Sequence, residues 1–331
     1  MIVSRTPFRV SFFGGGTDYP AWYSKNGGAV LATSIDKYCY ISCRKLPPFF
    51  PHKHRIVYSI IESVTNNKEI KHPVVREIFE WMRVSEGLEV HHDGDLPARS
   101  GLGSSSSFTV GLLNALYASL GSIVSKERLA KEATFVEQEL VGDYVGCQDQ
   151  IASSYGGFNK IEFKKSGSFV VEPIIISDEK KLALQDHCVL IFTGISRIAS
   201  TIAKTKIQNF SKRERELSLI REMVNEGLDI LQSKTEEISA FGKLMHEAWQ
   251  LKKTLAPQVS SGAIDEMYEK AQKLGAYGGK LLGAGGGGFL LIMCPPEKKR
   301  RICKEFSDYV NVPFKFEDSG SRIILYQPVG F

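Results

Sequence analysis

Apolar runs broken by glycine fill the first forty positions of the chain. Arg9-Val10-Ser11-Phe12-Phe13 reads as a short strand that stops at Gly14-Gly15-Gly16-Thr17-Asp18-Tyr19-Pro20. Gly28 to Thr33 and Tyr38 to Ser42 read as two more strands. Pro47 to Arg55, rich in proline, histidine and aromatics, predicts a loop. Val74 to Arg83 has helical spacing, and Leu88 to His92 alternates like a strand. Pro97 to Ser107 then leads into Phe108, Leu112, Ala115 and Leu116, which share one helical face. Lys126 to Leu140 predicts a second helix behind a Ser125 cap. Gly146-Cys147-Gln148-Asp149-Gln150 lies in the loop that follows, ahead of strand-like pieces as far as Val171.

A polar stretch from Ile175 to Asp186 separates two strand patterns and sets the expected domain boundary. One domain would span residues 1–180 and the other residues 181–331. Beyond the boundary, His187 to Phe192 reads as a strand and Ile198 to about Leu231 as one long helix. More helix is expected at Phe241 to Lys253 and Asp265 to Leu274. Gly283 to Gly288 then breaks into the strand Phe289 to Met293, and a helix and a strand finish the chain. The layout is α+β in two parts, without an internal repeat.

Composition narrows the class. Over 331 residues, 43% hydrophobic and 24% charged content is that of a soluble globular protein with ample core. No run approaches the roughly 18 apolar residues of a membrane span. The N-terminus opens directly into a strand pattern without a signal-peptide layout, and six scattered cysteines include no CxxC pair. A reduced, cytoplasmic protein is expected. The net charge of +5 is dispersed. Even Lys298-Lys299-Arg300-Arg301, after Pro295-Pro296, reads as the solvated face of a surface helix, so nucleic acid is not an expected partner. His52, His54, His91 and His92 lack metal-ligand spacing and read as structural or surface residues.

The run Ser100-Gly101-Leu102-Gly103-Ser104-Ser105-Ser106-Ser107 carries the most chemistry. A phosphate site needs several backbone N–H groups aimed at one spot with no side chain in the way, which glycine permits. A helix starting straight afterwards adds unpaired N–H groups and the positive end of its dipole, and serines add hydroxyls. The run lacks the lysine of a GxxxxGK[ST] loop, and no GxGxxG is present. A plain turn with serine caps is the alternative. A flexible linker is disfavoured by Leu102 and by the apolar helix that follows.

Three separated segments, in order, resemble the GHMP kinase superfamily, which includes galactokinase, homoserine kinase, mevalonate kinase and phosphomevalonate kinase. They are Pro7 to Tyr19, Leu96-Pro97 through Ser107, and Lys280 to Phe289. The resemblance implies a ribosomal-protein-S5-like N-terminal domain, a ferredoxin-like C-terminal domain, and ATP and substrate in the cleft between them. By the same resemblance Pro97, Arg99, Ser100, Gly101, Leu102, Gly103, Ser104, Ser105, Ser106 and Ser107 form the ATP-phosphate element. The third segment would support that loop and line the substrate side through Gly285 and Gly286.

Phosphoryl transfer to a sugar hydroxyl needs a metal bridging phosphates, positive charge on the transferred group and a base near the hydroxyl. Asp149 matches the Gly-x-x-Asp-Gln element of galactokinase-type enzymes and is assigned as base or orienting anion. An Asx cap is its ordinary alternative. Arg9 sits where the family places a basic residue beside that aspartate; it would support the aspartate's charge and stabilise the γ-phosphate. For Mg²⁺ the resemblance points to Glu137, twelve positions before Asp149, with Ser105 as the hydroxyl ligand and Glu139 in reserve. A solvated helix carboxylate is the ordinary alternative for Glu137.

Galactokinases read Gly-Glu-His-Thr-Asp-Tyr where this chain reads Gly14-Gly15-Gly16-Thr17-Asp18-Tyr19. Loss of two side chains opens volume where a hexose ends, which suits a longer or anionic sugar. Gly15, Gly16, Thr17 and Asp18 are the expected substrate residues, with Asp18 on ring hydroxyls. Together with Phe192-Thr193-Gly194-Ile195-Ser196-Arg197, the pattern most resembles the D-glycero-D-manno-heptose 7-phosphate kinases, which phosphorylate the anomeric hydroxyl to give a 1,7-bisphosphate. Arg99, Arg197 and Lys280 are candidates for the substrate phosphate. A kinase of another sugar, a kinase of an isoprenoid precursor or amino acid, and a non-catalytic sugar and ATP sensor are the rivals. A pure sensor would have no need of Arg9, Ser105, Glu137 and Asp149 together, and Asp18-Tyr19 with Asp149-Gln150 favours a sugar. The sequence leaves the oligomeric state open.

Overall fold

A computed structural model describes residues 1–98, 100–195 and 199–328. Arg99 and Arg197, both expected to contact anions, lie outside the described residues. In chain order the strands are β1 (Ile2–Phe13), β2 (Gly28–Lys45), β3 (His54–Val57), β4 (Ile61–Val64), β5 (Leu88–Gly94), β6 (Phe158–Phe163), β7 (Phe169–Pro173), β8 (Cys188–Phe192), β9 (Gly278–Leu281), β10 (Phe289–Met293), β11 (Val310–Asn311), β12 (Phe316–Glu317) and β13 (Arg322–Tyr326). The helices are α1 (Pro20–Asn26), α2 (Pro73–Trp81), α3 (Ser104–Ser119), α4 (Lys126–Phe135), α5 (Gln148–Tyr155), α6 (Asp178–Asp186), α7 (Ala199–Asn209), α8 (Glu214–Gln232), α9 (Ile238–Thr254), α10 (Gly262–Lys273) and α11 (Pro296–Glu305). Among the described residues no helix is long and apolar enough to cross a membrane.

Two sheets organise these elements. The first runs β13-β1-β2-β5-β3-β4, with β6, β7 and β12 attached through β2. The second is β11-β8-β10-β9. The chain's last strands therefore return to the first sheet, β12 pairing with β2 and β13 with β1. A cut at residue 180 assigns them to the second part; the sheet assigns them to the first. Helix α6 fills most of the stretch read as a boundary.

Local reasons for the elements are visible. The Ser125 hydroxyl accepts from the Arg128 N–H and starts α4. The two strands expected between Gly28 and Ser42 are one, because β1 pairs with β2 on both sides of a register shift between Pro7 and Phe8. His54–Val57 and Ile61–Val64 form a hairpin that the sequence does not announce, each strand being too short to show alternation. The long helix expected from Ile198 to Leu231 breaks at residues 210–213. There Phe210 turns inward and packs edge-on against Tyr19 and Trp22.

The core joins both sheets. Phe12 and Phe13 of β1 meet Phe241 of α9 edge-to-face, at 5.3 and 4.9 Å between ring centroids. Helix α3 lies close against β1, where the Ser4 hydroxyl donates to Gly111 O at 2.8 Å. A Cβ at Gly111 would come within 2.9 Å of Thr6 Oγ1, so the helix approaches this closely only with glycine. That packing fixes the N-terminus of α3.

Candidate active site

The Gly/Ser run forms a tight turn ending at the N-terminus of α3. Gly101 and Gly103 take φ of +83° and +78°, and Gly103 is the residue before the helix, with no side chain capping it. The N-terminus of α3 thereby stands at the turn without a side-chain cap, as an anion cradle requires. The third glycine segment holds this turn from behind. A Cβ on Gly283 would sit 2.5 Å from Gly101 Cα, and one on Gly288 would sit 2.2 Å from Ser100 O. The Phe289 N–H donates to that same Ser100 carbonyl at 3.1 Å. Gly285 and Gly286, expected on the substrate side, instead meet Val259: the Gly286 N–H donates to Val259 O at 2.9 Å. Their contacts give them a packing role.

Arg9 and Asp149 come together at the mouth of the turn. Arg9 Nε and Nη2 donate to the two Asp149 oxygens at 2.7 and 2.8 Å, while Nη1 donates to Gly101 O at 2.7 Å. A Cβ on Gly103 would lie 3.4 Å from the Asp149 carboxyl carbon. The arginine side chain is 2% exposed and the aspartate 25%. The carboxylate is therefore fixed on its inner side by a bidentate pair and retains free lone pairs toward the cleft. Asp149 stands in the first turn of α5, in a segment that reads as a loop in the sequence. Asp18 is adjacent and buried. It accepts from the Gly16 N–H at 2.9 Å, and its own carbonyl accepts from the Cys147 N–H at 3.0 Å. Burial raises its pKa above the ordinary carboxylate range.

Glu137 is the second carboxylate at the turn. It lies in a π-helical turn, Val136–Leu140, that continues α4; such turns widen the helix and redirect one side chain inward. Ser106 Oγ donates to Glu137 Oε2 at 3.0 Å, and Gln150 Nε2 donates to the same oxygen at 2.8 Å. The other oxygen, Oε1, is buried without a partner among the described residues. Burial pushes this carboxyl up to about 7. A buried, unpaired carboxylate oxygen beside a hydroxyl at an anion-binding helix terminus fits a hard divalent cation. No cluster of three or more histidine, cysteine or acidic side chains exists among the described residues, so such a cation would depend on phosphate and water oxygens for its other ligands. Ser105, the expected hydroxyl ligand, is exposed; the serine facing Glu137 is one residue further on. Glu139 is exposed as well.

The remaining residues divide into walls and lining. The Thr17 hydroxyl is buried, shares its one proton between Gly14 O and Ala29 O, both at 2.9 Å, and accepts from the Ala29 N–H at 3.1 Å, so it braces the turn rather than facing a ligand. Ser107 is likewise committed, donating to Pro7 O at 3.0 Å, and Leu102 is fully buried. Pro97 is exposed and Ser104 half-buried. Gly16 opens no volume: its φ is +113°, and a Cβ would meet Leu217 Cδ2 at 3.3 Å. Gly15 does open space, since a Cβ there finds Gln148 Nε2 and Ser11 Oγ only at 4.0 Å. Ser11 Oγ and Gln148 Oε1 are buried without partners among the described residues, which leaves two polar atoms for a ligand at this end. Lys280 is engaged, its ammonium donating to Phe12 O at 2.9 Å across the two sheets. Lys252 similarly holds Leu281 O and Gly283 O, both at 2.8 Å.

Two residues of this site escaped the sequence reading altogether: Lys252 and Lys206, both buried lysines. A signal existed for Lys206, which follows Ile202 and Ala203 at helical spacing and so puts a charge on an apolar stripe. A cavity of about 500 Å³ lies elsewhere, lined by Met1, Arg44, Met82, Val84 and Leu120 among others, and shares no residue with the turn, Asp149 or Glu137.

Known proteins resemble this chain over most of its length. The family model for the GHMP kinases N-terminal domain matches residues 68–157, and that for the GHMP kinases C-terminal region matches residues 230–311; together they span more than half of the chain. A D-glycero-alpha-D-manno-heptose 7-phosphate kinase from Campylobacter jejuni is 29% identical over 294 residues, covering 86% of each chain. A galactokinase from Pyrococcus furiosus is 28% identical over 323 residues, again covering 86% of each. Among solved structures, a D-glycero-D-manno-heptose 1-phosphate kinase from Bacteroides thetaiotaomicron superposes with a TM-score of 0.80 at 22% identity, covering 98% of each chain.

Proposed function

The chain belongs to the GHMP kinase family and is a sugar kinase using ATP as phosphate donor, and from that premise we propose that its acceptor is D-glycero-D-manno-heptose 7-phosphate, phosphorylated on the anomeric hydroxyl. The observation that carries the chemistry is the Asp149 carboxylate, clamped by Arg9 directly beside the phosphate turn. Asp149 takes the proton of the anomeric hydroxyl as that oxygen bonds to the γ-phosphorus. The bond from the γ-phosphorus to the bridging oxygen breaks and ADP leaves. Arg9 keeps Asp149 in register and places positive charge next to the transferring group. The turn from Gly101 to Gly103 and the first N–H groups of α3 hold the phosphates. Glu137 and Ser106 are the residues that would hold Mg²⁺, which when bound neutralises phosphate charge.

Support for the sugar comes from Gly15 and from the relatives. The open space at Gly15, bordered by Ser11 and Gln148, suits a chain that extends past a hexose. The heptose 7-phosphate kinase of Campylobacter jejuni matches along most of its length. A second reading, a kinase of another hexose or heptose, rests on the galactokinase match. An ADP-release screen over galactose, mannose, heptose and heptose 7-phosphate separates the two. Heptose 7-phosphate is expected to give the highest kcat/KM; preference for an unphosphorylated hexose overturns the acceptor while leaving the kinase in place.

A further inference from the structure

Lys206 of α7 is buried beside Asp18 and Asp149. Its side chain is 2% exposed. Among the described residues it makes no ion pair within 4.0 Å, and its ammonium lies 5.5 Å from the centroid of the Tyr19 ring. Helix α7 is set firmly on the loop that carries Asp18. Ala203 and Phe210 pack in one cluster with Tyr19, Trp22, Leu217 and Leu255. The lysine is therefore placed by packing rather than by a carboxylate.

A buried ammonium without an ion-pair partner is costly and is retained where something else uses the charge. Two carboxylates attract it, Asp18 first and Asp149 second, and these oppose the loss of charge that burial favours. Asp18 feels the reverse, with the nearby Asp149 raising its pKa and Lys206 lowering it. Lys280 and Lys252 stand in the same field, but their ammonium groups are spent on backbone carbonyls. Lys206 adds donors where Asp18 and Asp149 offer only acceptors.

We propose that Lys206 is a substrate-contacting residue whose ammonium donates to the acceptor hydroxyl vicinal to the reacting one, with Asp18 accepting from that same hydroxyl. A hydroxyl both accepts and donates, so an ammonium and a carboxylate can grip it from two sides. The second part of the chain thereby completes the acceptor site through α7, and discrimination among sugars at the carbon next to the reacting centre depends on it. The inference rests on the sugar-kinase reading but not on which sugar is preferred.

The test compares wild type, Lys206→Met and Lys206→Arg with heptose 7-phosphate and its 2-deoxy counterpart at saturating ATP. If the wild type prefers a hexose, the acceptor reading has failed, and the comparison is made with that hexose and its 2-deoxy form. Lys206→Met is expected to raise the sugar KM roughly tenfold or more. The KM for ATP should stay within about twofold, and the melting temperature should hold or rise, since a buried unpaired charge has been removed. Wild type should discriminate against the 2-deoxy sugar, Lys206→Met should have lost that discrimination, and Lys206→Arg should recover part of it. A shift confined to the ATP KM, an unaltered sugar KM in a folded variant, or undiminished discrimination against the 2-deoxy sugar would each overturn the proposal. Failure of Lys206→Met to fold is checked by the melting curve; Lys206→Ala then decides by the same deoxy comparison, unchanged discrimination together with unchanged sugar KM counting against it.

Discussion

At the residue scale, two carboxylates stand in contrasting settings. Asp149 is held by an arginine and faces the cleft; Glu137 is buried with one oxygen unpaired. The second has a consequence for stability. Its folded pKa, about 7, lies above the ordinary 4.5, so its contribution is fully present below about pH 4.5 and is lost as pH rises through 7. By pH 8 that loss amounts to roughly 3 kcal/mol. Glu137→Gln should therefore melt progressively higher than wild type as pH rises through this window in the absence of nucleotide and Mg²⁺. Melting curves at pH 5 and pH 8 check this, and a difference that does not change with pH speaks against a raised carboxyl. Ser106→Ala should increase the Mg²⁺ needed for half-maximal rate roughly tenfold, while Ser105→Ala should leave it within about twofold. A Mg²⁺ titration of the two variants decides the register; the opposite order would return the role to Ser105.

The identity of these residues was legible to different degrees. The roles proposed for Asp149, Arg9 and Glu137 come from the family resemblance, and the structure pairs Arg9 with Asp149 and sets Glu137 against Ser106 of the same turn. Ser106 could not be chosen over Ser105, because four consecutive serines carry no phase until α3 is placed against Glu137. Gly16 looked like a missing side chain, whereas its φ of +113° shows a backbone requirement.

At the element scale, the Gly/Ser turn is a composite of two segments nearly two hundred residues apart. Gly101 and Gly283 touch so closely that neither accepts a Cβ without displacement. Gly283→Ala should push the turn away from its position and, at φ +70°, add roughly 1–3 kcal/mol of backbone strain. We expect kcat/KM for ATP to fall by up to about a hundredfold, as a displacement of about 1 Å can produce. Gly262→Ala, at a position with open space around it, is the control and should behave as wild type. Steady-state kinetics in varied ATP read both, and equal behaviour of the two variants would dissociate the third segment from the turn. The sequence showed both glycine segments but not their contact, since nothing in either spells out its distance from the other. It also missed the hairpin of β3 and β4 and the break at Phe210, where tertiary packing overrides local periodicity.

At the scale of the whole molecule, the two-part α+β layout follows from the order of strand and helix patterns, and the family resemblance supplied the architecture around it. What periodicity could not supply is the return of β12 and β13 to the first sheet, because pairing partners 281 to 324 residues apart leave no local trace. That return closes the first sheet around β1, whose Arg9 is the arginine of the site, while the second part reaches over the same strand through Lys280 and Phe241. The cleft is thus built from both parts at once, and its chemistry should fail as a unit when Asp149 is altered. The most direct measurement is ³¹P NMR of wild type and Asp149→Asn incubated with heptose 7-phosphate, ATP and Mg²⁺. Wild type should convert the sugar to a 1,7-bisphosphate with one ADP per sugar, and Asp149→Asn should slow this by roughly 10²- to 10⁴-fold while still binding ATP. Undiminished turnover by Asp149→Asn, or phosphate appearing on a carbon other than the anomeric one, would contradict the account.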